Sequence, residues 1–135
     1  MDWDSDYSVG IHEIDEQHRT LVEHVTAIER SVSEGERWGT VHVALARLTI
    51  FTEIHFAVEE SLMRIHDYPR LEEHANEHRA FTDRVRALQE RSLRDRVSPN
   101  MAGFLRTWVE KHIPNHDKSY AFHFLRRTAL GGRQA

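Results

Sequence analysis

The sequence predicts an all-α fold: an up-down-up-down antiparallel four-helix bundle with an N-terminal arm and a short C-terminal helix. Three observations carry this. Apolar residues recur at alternating spacings of four and three along four segments, which is the seam period of packed helices. No stretch alternates as a strand would. The six glycines and three prolines fall where helices should start or stop. Connections of roughly three to seven residues set consecutive helices antiparallel. With no repeats, low-complexity stretches or linkers, residues 1–135 are expected to form one domain.

Each element follows in order. Residues 1–10 carry Trp3, Tyr7 and Val9 without helical period and read as an arm packed against the body. A helix begins between His12 and Asp15 and fades at Gly35, with its seam at 14, 18, 21, 25, 28 and 32. A second spans about 40–66, with a seam at 41, 45, 48, 52, 55, 59, 62 and 66, and Pro69 marks the next start. The third, about 70–91, reads 71, 74, 78, 81, 85 and 88. Ser98-Pro99 opens the fourth, a favoured cap followed by proline at the first helical position. Its seam reads 101, 105, 108 and 112, and Pro114 should end or kink it. A fifth segment, about 117–128, follows, and the tail with Arg126, Arg127 and Arg133 reads as a frayed end.

Composition narrows the function. Eighteen Lys+Arg against 22 Asp+Glu give a net charge of −4, which argues against nucleic-acid or anionic-membrane partners. The absence of cysteine excludes disulfides, thiolate zinc sites, cysteine-ligated iron–sulfur clusters and thiolate-bound haem. Without a signal-peptide pattern or an 18-residue apolar run, a soluble, cytoplasmic protein is expected. Eleven histidines remain to be explained.

The seams explain five of them. Ile14, Leu21, Val25, Ile28, Val41, Leu45, Leu48, Leu62, Leu71, Phe81, Val85, Leu88, Met101, Leu105 and Trp108 fill most slots. The exceptions are His18, His55, Glu59, His74, His78 and His112. Burying an unpaired carboxylate or imidazole costs several kcal/mol, so these groups need a shared partner, and a metal centre inside the bundle is the economical one. His55 and Glu59, like His74 and His78, are four apart and share a helix face. Asp117 is a seventh candidate. On a straight helix it would diverge from His112 by about 140°, but Pro114 breaks the helix between them and lets Asp117 return.

Five imidazoles and two carboxylates are too many for one tetrahedral zinc. Suppose instead that two six-coordinate ions share both carboxylates and a bridging oxide or hydroxide. Eleven of twelve positions are then filled, and one is open to a small exogenous ligand. Imidazole with some carboxylate suits iron, and less readily manganese or zinc.

These residues also carry a family pattern. The chain resembles hemerythrin in its bacterial single-domain form, from Trp3 to about Tyr120. The matching pieces are W-D-x-x-Y-S-V-G-I from Trp3, I-D-x-Q-H ending at His18, and H-F-x-x-E-E-x-x-M from His55 to Met63. Then come Tyr68-Pro69, H-x-x-x-H-x-x-F from His74 to Phe81, and W-x-x-x-H-I-x-x-x-D from Trp108 to Asp117. The resemblance implies two non-haem iron ions (Fe2+/Fe3+) bridged by oxide or hydroxide. His74, His78 and His112 would hold one, His18 and His55 the other, and Glu59 and Asp117 would bridge them. It further implies reversible dioxygen binding at the iron held by His18 and His55, for transport, storage or delivery, with no catalytic role.

Ligand charge supports binding over oxidation. Only two anionic protein ligands offset the iron charge here, against four carboxylates in ferritin-like oxidases. Leu21, Val22, Phe51, Leu105 and Trp108 are candidates for a dry pocket, or simply core. The alternatives are an oxygen- or redox-sensing module of a signalling protein, as in similar domains fused to such proteins, and a di-iron oxidase or peroxidase. Partners in those settings are an oxygen-consuming enzyme or signalling domains. No large exposed apolar stripe stands out, so a monomer is expected. His74 to His78 also reads as H-x-x-E-H, a zinc-protease signature, but that reading strands four other seam residues. Glu77 is expected in solvent. His12, His24, His42, His66, His116 and His123 are assigned to surface or caps, with His116 near enough to influence the site.

Overall fold

The computed structural model describes residues 1–134, with side chains through residue 129. Five helices follow a 3-10 turn at Ser5–Tyr7: α1 (His12–Ser33), α2 (Trp38–Ile65), α3 (Leu71–Arg91), α4 (Pro99–His112) and α5 (Lys118–Gln134). A π-turn, Ile113–Asp117, joins α4 to α5. Helices α1 to α4 form the bundle, with α1 against α2 and α4, and α3 against α2 and α4.

Local chemistry sets the boundaries. The Asp15 carboxylate accepts from the Val9 N–H at 2.8 Å and the Ser8 hydroxyl at 2.7 Å, fixing the entry to α1. Between them Gly10 sits at φ +86°, and a Cβ there would meet Leu125 Cδ1 at 3.2 Å. Gly35, at φ +67°, ends α1. Its N–H donates to the Val32 carbonyl and the Glu36 N–H to that of Ser31, the paired Schellman bonds that satisfy the last turn. Asp67 makes the same exit from α2 at φ +53°. Ser98 caps α4 by accepting from the Met101 N–H. The arm packs on the core through Met1, Trp3 and Tyr7, and Arg19 lies 4.6 Å over the Trp3 ring.

The structure moves several seam positions. On α2 the inward face passes from Glu59 to Met63, leaving Leu62 half-buried. A straight helix drifts about 20° per heptad from a strict seven-residue repeat, and over 28 residues that drift changes the inward residue. On α4 the buried positions are Ala102, Leu105, Val109 and His112, with Met101 and Trp108 on the flank. Leu21, Val22 and Leu105 are buried core, and Phe51 is half-buried against it. Helix α5 runs to Gln134 instead of stopping near 128. Arg126 and Arg127 are exposed helical residues and not a frayed end; the Arg133 side chain lies outside the described residues.

α2 differs from the sequence expectation in two further ways. α2 has an 18-residue window apolar enough to cross a membrane by length and composition, though 39% of that window is buried inside the protein. Its outward face is apolar as well, with Val43, Ile50, Ile54, Val58 and Ile65 all exposed, against the expectation of no such stripe.

Candidate metal centre

Each helix delivers its polar seam residues to one buried place. His18 comes from the middle of α1, His55 and Glu59 from α2, and His74 and His78 from the start of α3. His112 closes α4 and Asp117 closes the π-turn. All seven are 3% exposed or less.

The π-turn resolves the angular problem. Pro114 has no N–H for the helical ladder, and the Lys118 N–H donates instead to the Ile113 carbonyl, five residues back. The wider turn returns Asp117 to the face of His112, so Asp117 Oδ1 lies 3.0 Å from His112 Nε2. The regular α-helix thus ends at His112, as Pro114 led one to expect, and the chain stays helical through the π-turn into α5.

The donors fall into two groups that share a carboxylate. His74, His78, His112, Glu59 and Asp117 present ligand atoms within 4.8 Å of one another; His18, His55 and Glu59 do the same. Asp117 spans the groups, with Oδ1 2.9 Å from His74 Nε2 and Oδ2 3.1 Å from His18 Nε2. Glu59 spans them too. Its Oε1 is 3.2 Å from His78 Nε2 and 3.4 Å from His55 Nε2, and its Oε2 is 3.2 Å from His18 Nε2.

These short distances are mostly not hydrogen bonds. The Nε2 atoms of His55, His74, His78 and His112, together with Glu59 Oε1 and Asp117 Oδ1, are buried and have no hydrogen-bond partner among the described residues. Leaving one buried polar group unpaired costs about 1–3 kcal/mol, so six converging on one spot call for a cation. The donor set of imidazole and carboxylate fits iron.

The outer ring nitrogens are held from behind, which the sequence reading missed. His55 Nδ1–H donates to Gln17 Oε1 at 2.6 Å, and His78 Nδ1–H donates to Glu60 Oε2 at 2.9 Å. Both bonds turn an Nε2 lone pair inward, the usual arrangement for a metal-binding histidine. Gln17 directly precedes a seam histidine and Glu60 directly follows a seam carboxylate; that adjacency was the available signal. The Tyr120 hydroxyl donates to Glu59 Oε2 at 3.1 Å, three residues beyond Asp117. Glu77 is half-buried and pairs with His116 at 3.2 Å, and the His116 ring stacks on His112 with centroids 5.2 Å apart.

Electrostatics follow from this crowding. Burial opposes a charged His18, yet Asp117 and Glu59 raise it to about 10. Burial likewise opposes charge on His78, while the neighbouring Glu59 and Glu60 carboxylates lift it to about 9. Burial acts to raise Glu59 and Asp117, but the surrounding imidazoles hold both well below the ordinary carboxylate range. Burial lowers His112 and raises Tyr120, the latter helped by Glu59. An aromatic wall completes the site. Phe56 stacks on His78 at 3.8 Å, Trp108 on His112 at 4.1 Å and Phe51 on His55 at 5.8 Å.

The other histidines do structural work. His42 Nδ1–H donates to the Gln89 carbonyl at 3.0 Å near the end of α3. His123 Nε2–H donates to the His66 carbonyl at 2.8 Å at the end of α2. His12 is exposed, and burial lowers the half-buried His24.

Four antiparallel helices closed around a buried histidine–carboxylate cluster define a class of metal-binding bundle. Residues 9–121 match the family model described as the hemerythrin HHE cation binding domain, and the chain belongs to that family. It is 32% identical over 123 residues to a bacteriohemerythrin of Stenotrophomonas maltophilia, covering 88% of this chain and 78% of the relative. It is 28% identical over 122 residues to hemerythrin subunit beta of Lingula anatina, covering 87% and 90%. A crystal structure of wild-type hemerythrin superposes with a TM-score of 0.84 at 24% identity, over 92% of this chain and 97% of that one, and shows the shared fold.

Proposed function

We propose that this protein binds dioxygen reversibly at a non-haem di-iron centre, as a cytoplasmic carrier, store or delivery protein. The observation that carries the reading is the set of unpartnered, buried ligand atoms shared between two groups. His74, His78 and His112 would hold one ion, His18 and His55 the other, with Glu59 and Asp117 spanning both. Iron held there would supply the reversible redox chemistry that dioxygen binding requires.

The chain's own residues set the terms of that exchange. Two carboxylates among seven protein ligands give little anionic charge, which favours binding over oxidative turnover. Gln17 and Glu60 orient the imidazoles of His55 and His78. Phe51, Phe56 and Trp108 face the imidazoles with apolar rings and limit water, which slows loss of the reduced state. The names of the relatives support the same reading.

One experiment tests it. Iron-loaded protein is reduced anaerobically, exposed to air and then stripped of oxygen, while the visible charge-transfer bands are followed. Bands that appear and then vanish with return of the diferrous protein are expected. Irreversible conversion to diferric protein with rapid peroxide release would overturn the proposal, as would metal analysis giving zinc or one ion per chain.

A further inference from the structure

α2 carries His55 and Glu59 on its inner face, so its outer face should be polar. It is largely apolar, interrupted by the exposed Arg47 and Ser61. Val43 is 48% exposed, Ile50 61%, Ile54 64%, Val58 36% and Ile65 71%. At 100° per residue these five lie within an arc of about 80°, in a stripe about 33 Å long. Together they leave on the order of 500 Å² of apolar surface in water, parted by Arg47 and Ser61, which is over half of the roughly 800 Å² per side of a standard interface.

The stripe is symmetric along the chain. Its spacings run seven, four, four and seven, centred on Ile54. A two-fold axis through Ile54, perpendicular to the helix, sets a second α2 antiparallel on the first. It then pairs Ile54 with its own copy, Ile50 with Val58, Val43 with Ile65, and the polar Arg47 with Ser61. An interface of this kind must be self-complementary, and this arrangement is.

Shape agrees. Beside Val43, between α1 and α2, an open, mostly apolar groove of about 770 Å³ is lined by Ala27, Trp38, Val43 and Ala44, with Arg37 and Arg47 also on its walls. Ile65 is the most exposed aliphatic side chain among the described residues and sits toward the same, α1-facing edge of the stripe. The two-fold axis keeps like edges together, so Ile65 of one copy meets the groove of the other.

We propose that the outer face of α2 is the interface of an antiparallel homodimer, with Ile54 on the two-fold axis and Ile65 seated in the groove beside Val43. The other occupant the stripe suggests is a lipid surface. Against it, the Glu53–Arg86 ion pair flanks the stripe and the chain carries a net charge of −4, whereas the palindromic spacing has no meaning for a bilayer.

Sedimentation velocity on the iron-loaded full chain, from about 1 to 200 µM, should show a concentration-dependent monomer–dimer equilibrium. Ile54→Asp sets two carboxylates against each other on the axis and should weaken the dimer by at least about 100-fold. Because Ile54 is exposed, the variant's visible spectrum should match the parent, as should its thermal melt at concentrations where both are monomeric. The native chain has no cysteine, so Val43→Cys and Ile65→Cys variants each carry a single thiol. Mixed together with a short bismaleimide, they should cross-link 43 to 65 in preference to 43 to 43. Four results would each overturn the proposal: sedimentation as a monomer throughout, a dimer unchanged by Ile54→Asp, preferential 43-to-43 cross-linking, or wild-type protein that stays monomeric while co-floating with vesicles of phosphatidylcholine and phosphatidylglycerol.

Discussion

The two halves of the site use the same side chains and are backed differently. On one side of the carboxylates stand His74, His78 and His112; on the other, His18 and His55. The three-histidine side has an anion behind it, since His78 donates to Glu60, and the Glu77–His116 pair lies close beyond His112. Phe56 and Trp108 cover it in close stacks. The two-histidine side has only the neutral Gln17 behind His55, while Nδ1 of His18, like that of His112 on the other side, has no partner among the described residues. A carboxylate behind an imidazole makes it a stronger donor than an amide does. On the proposed di-iron reading, the first side would hold its ion through the more strongly backed imidazole.

Four substitutions and one titration break or sharpen this comparison. The largest effect belongs to Glu59, which serves both halves. Glu59→Ala should reduce bound iron from two per chain to one or none by metal analysis, and not merely weaken dioxygen binding. Next comes Glu60→Gln, expected to weaken iron binding by about 10–100-fold in competition with a chelator. Gln17→Leu should cost less than Glu60→Gln in the same assay, because it removes a neutral acceptor. Equal losses would erase the distinction between the halves.

Titration gives a smaller signal of defined sign. In metal-free protein His18 and His78 are raised from 6.5 to about 10 and about 9. Their stabilisation is complete below about pH 6.5 and is lost as pH climbs through 9 to 10. Glu59 and Asp117, held low, stabilise the fold above their ordinary values and lose that contribution in acid. The metal-free protein should therefore melt at falling temperature from about pH 7 to 10. Iron loading at pH 7 should release about two protons, one each from His18 and His78, measurable by calorimetry in buffers of different ionisation enthalpy. The smallest change is Tyr120→Phe, which deletes one hydrogen bond to Glu59. It should cost about 1–2 kcal/mol in urea unfolding and leave two iron ions bound.

Much of this was legible in the sequence because an inward slot advertises its occupant. His18, His55, Glu59, His74, His78 and His112 stood out as polar residues in apolar seams, and all six meet in the structure. Asp117 was harder. Its return depends on a π-turn, and spacing showed only that Pro114 must disturb the helix. Gln17 and Glu60 occupy flanking positions, where a polar residue looks like ordinary solvent exposure. Met63 and Val109 were displaced by one because a seven-residue repeat and a 3.6-residue helix part company over several turns. The outer stripe of α2 went unread for a different reason: where both the inner and outer faces carry aliphatics, periodicity marks one face and hides the other.

The central claim is that two unlike groups of histidines share two carboxylates around two ions. Mössbauer spectroscopy on diferrous protein loaded with enriched iron tests it most directly. Two iron ions per chain, in two distinct environments of equal intensity, are the expected result. A single environment, or one iron per chain, would contradict the account.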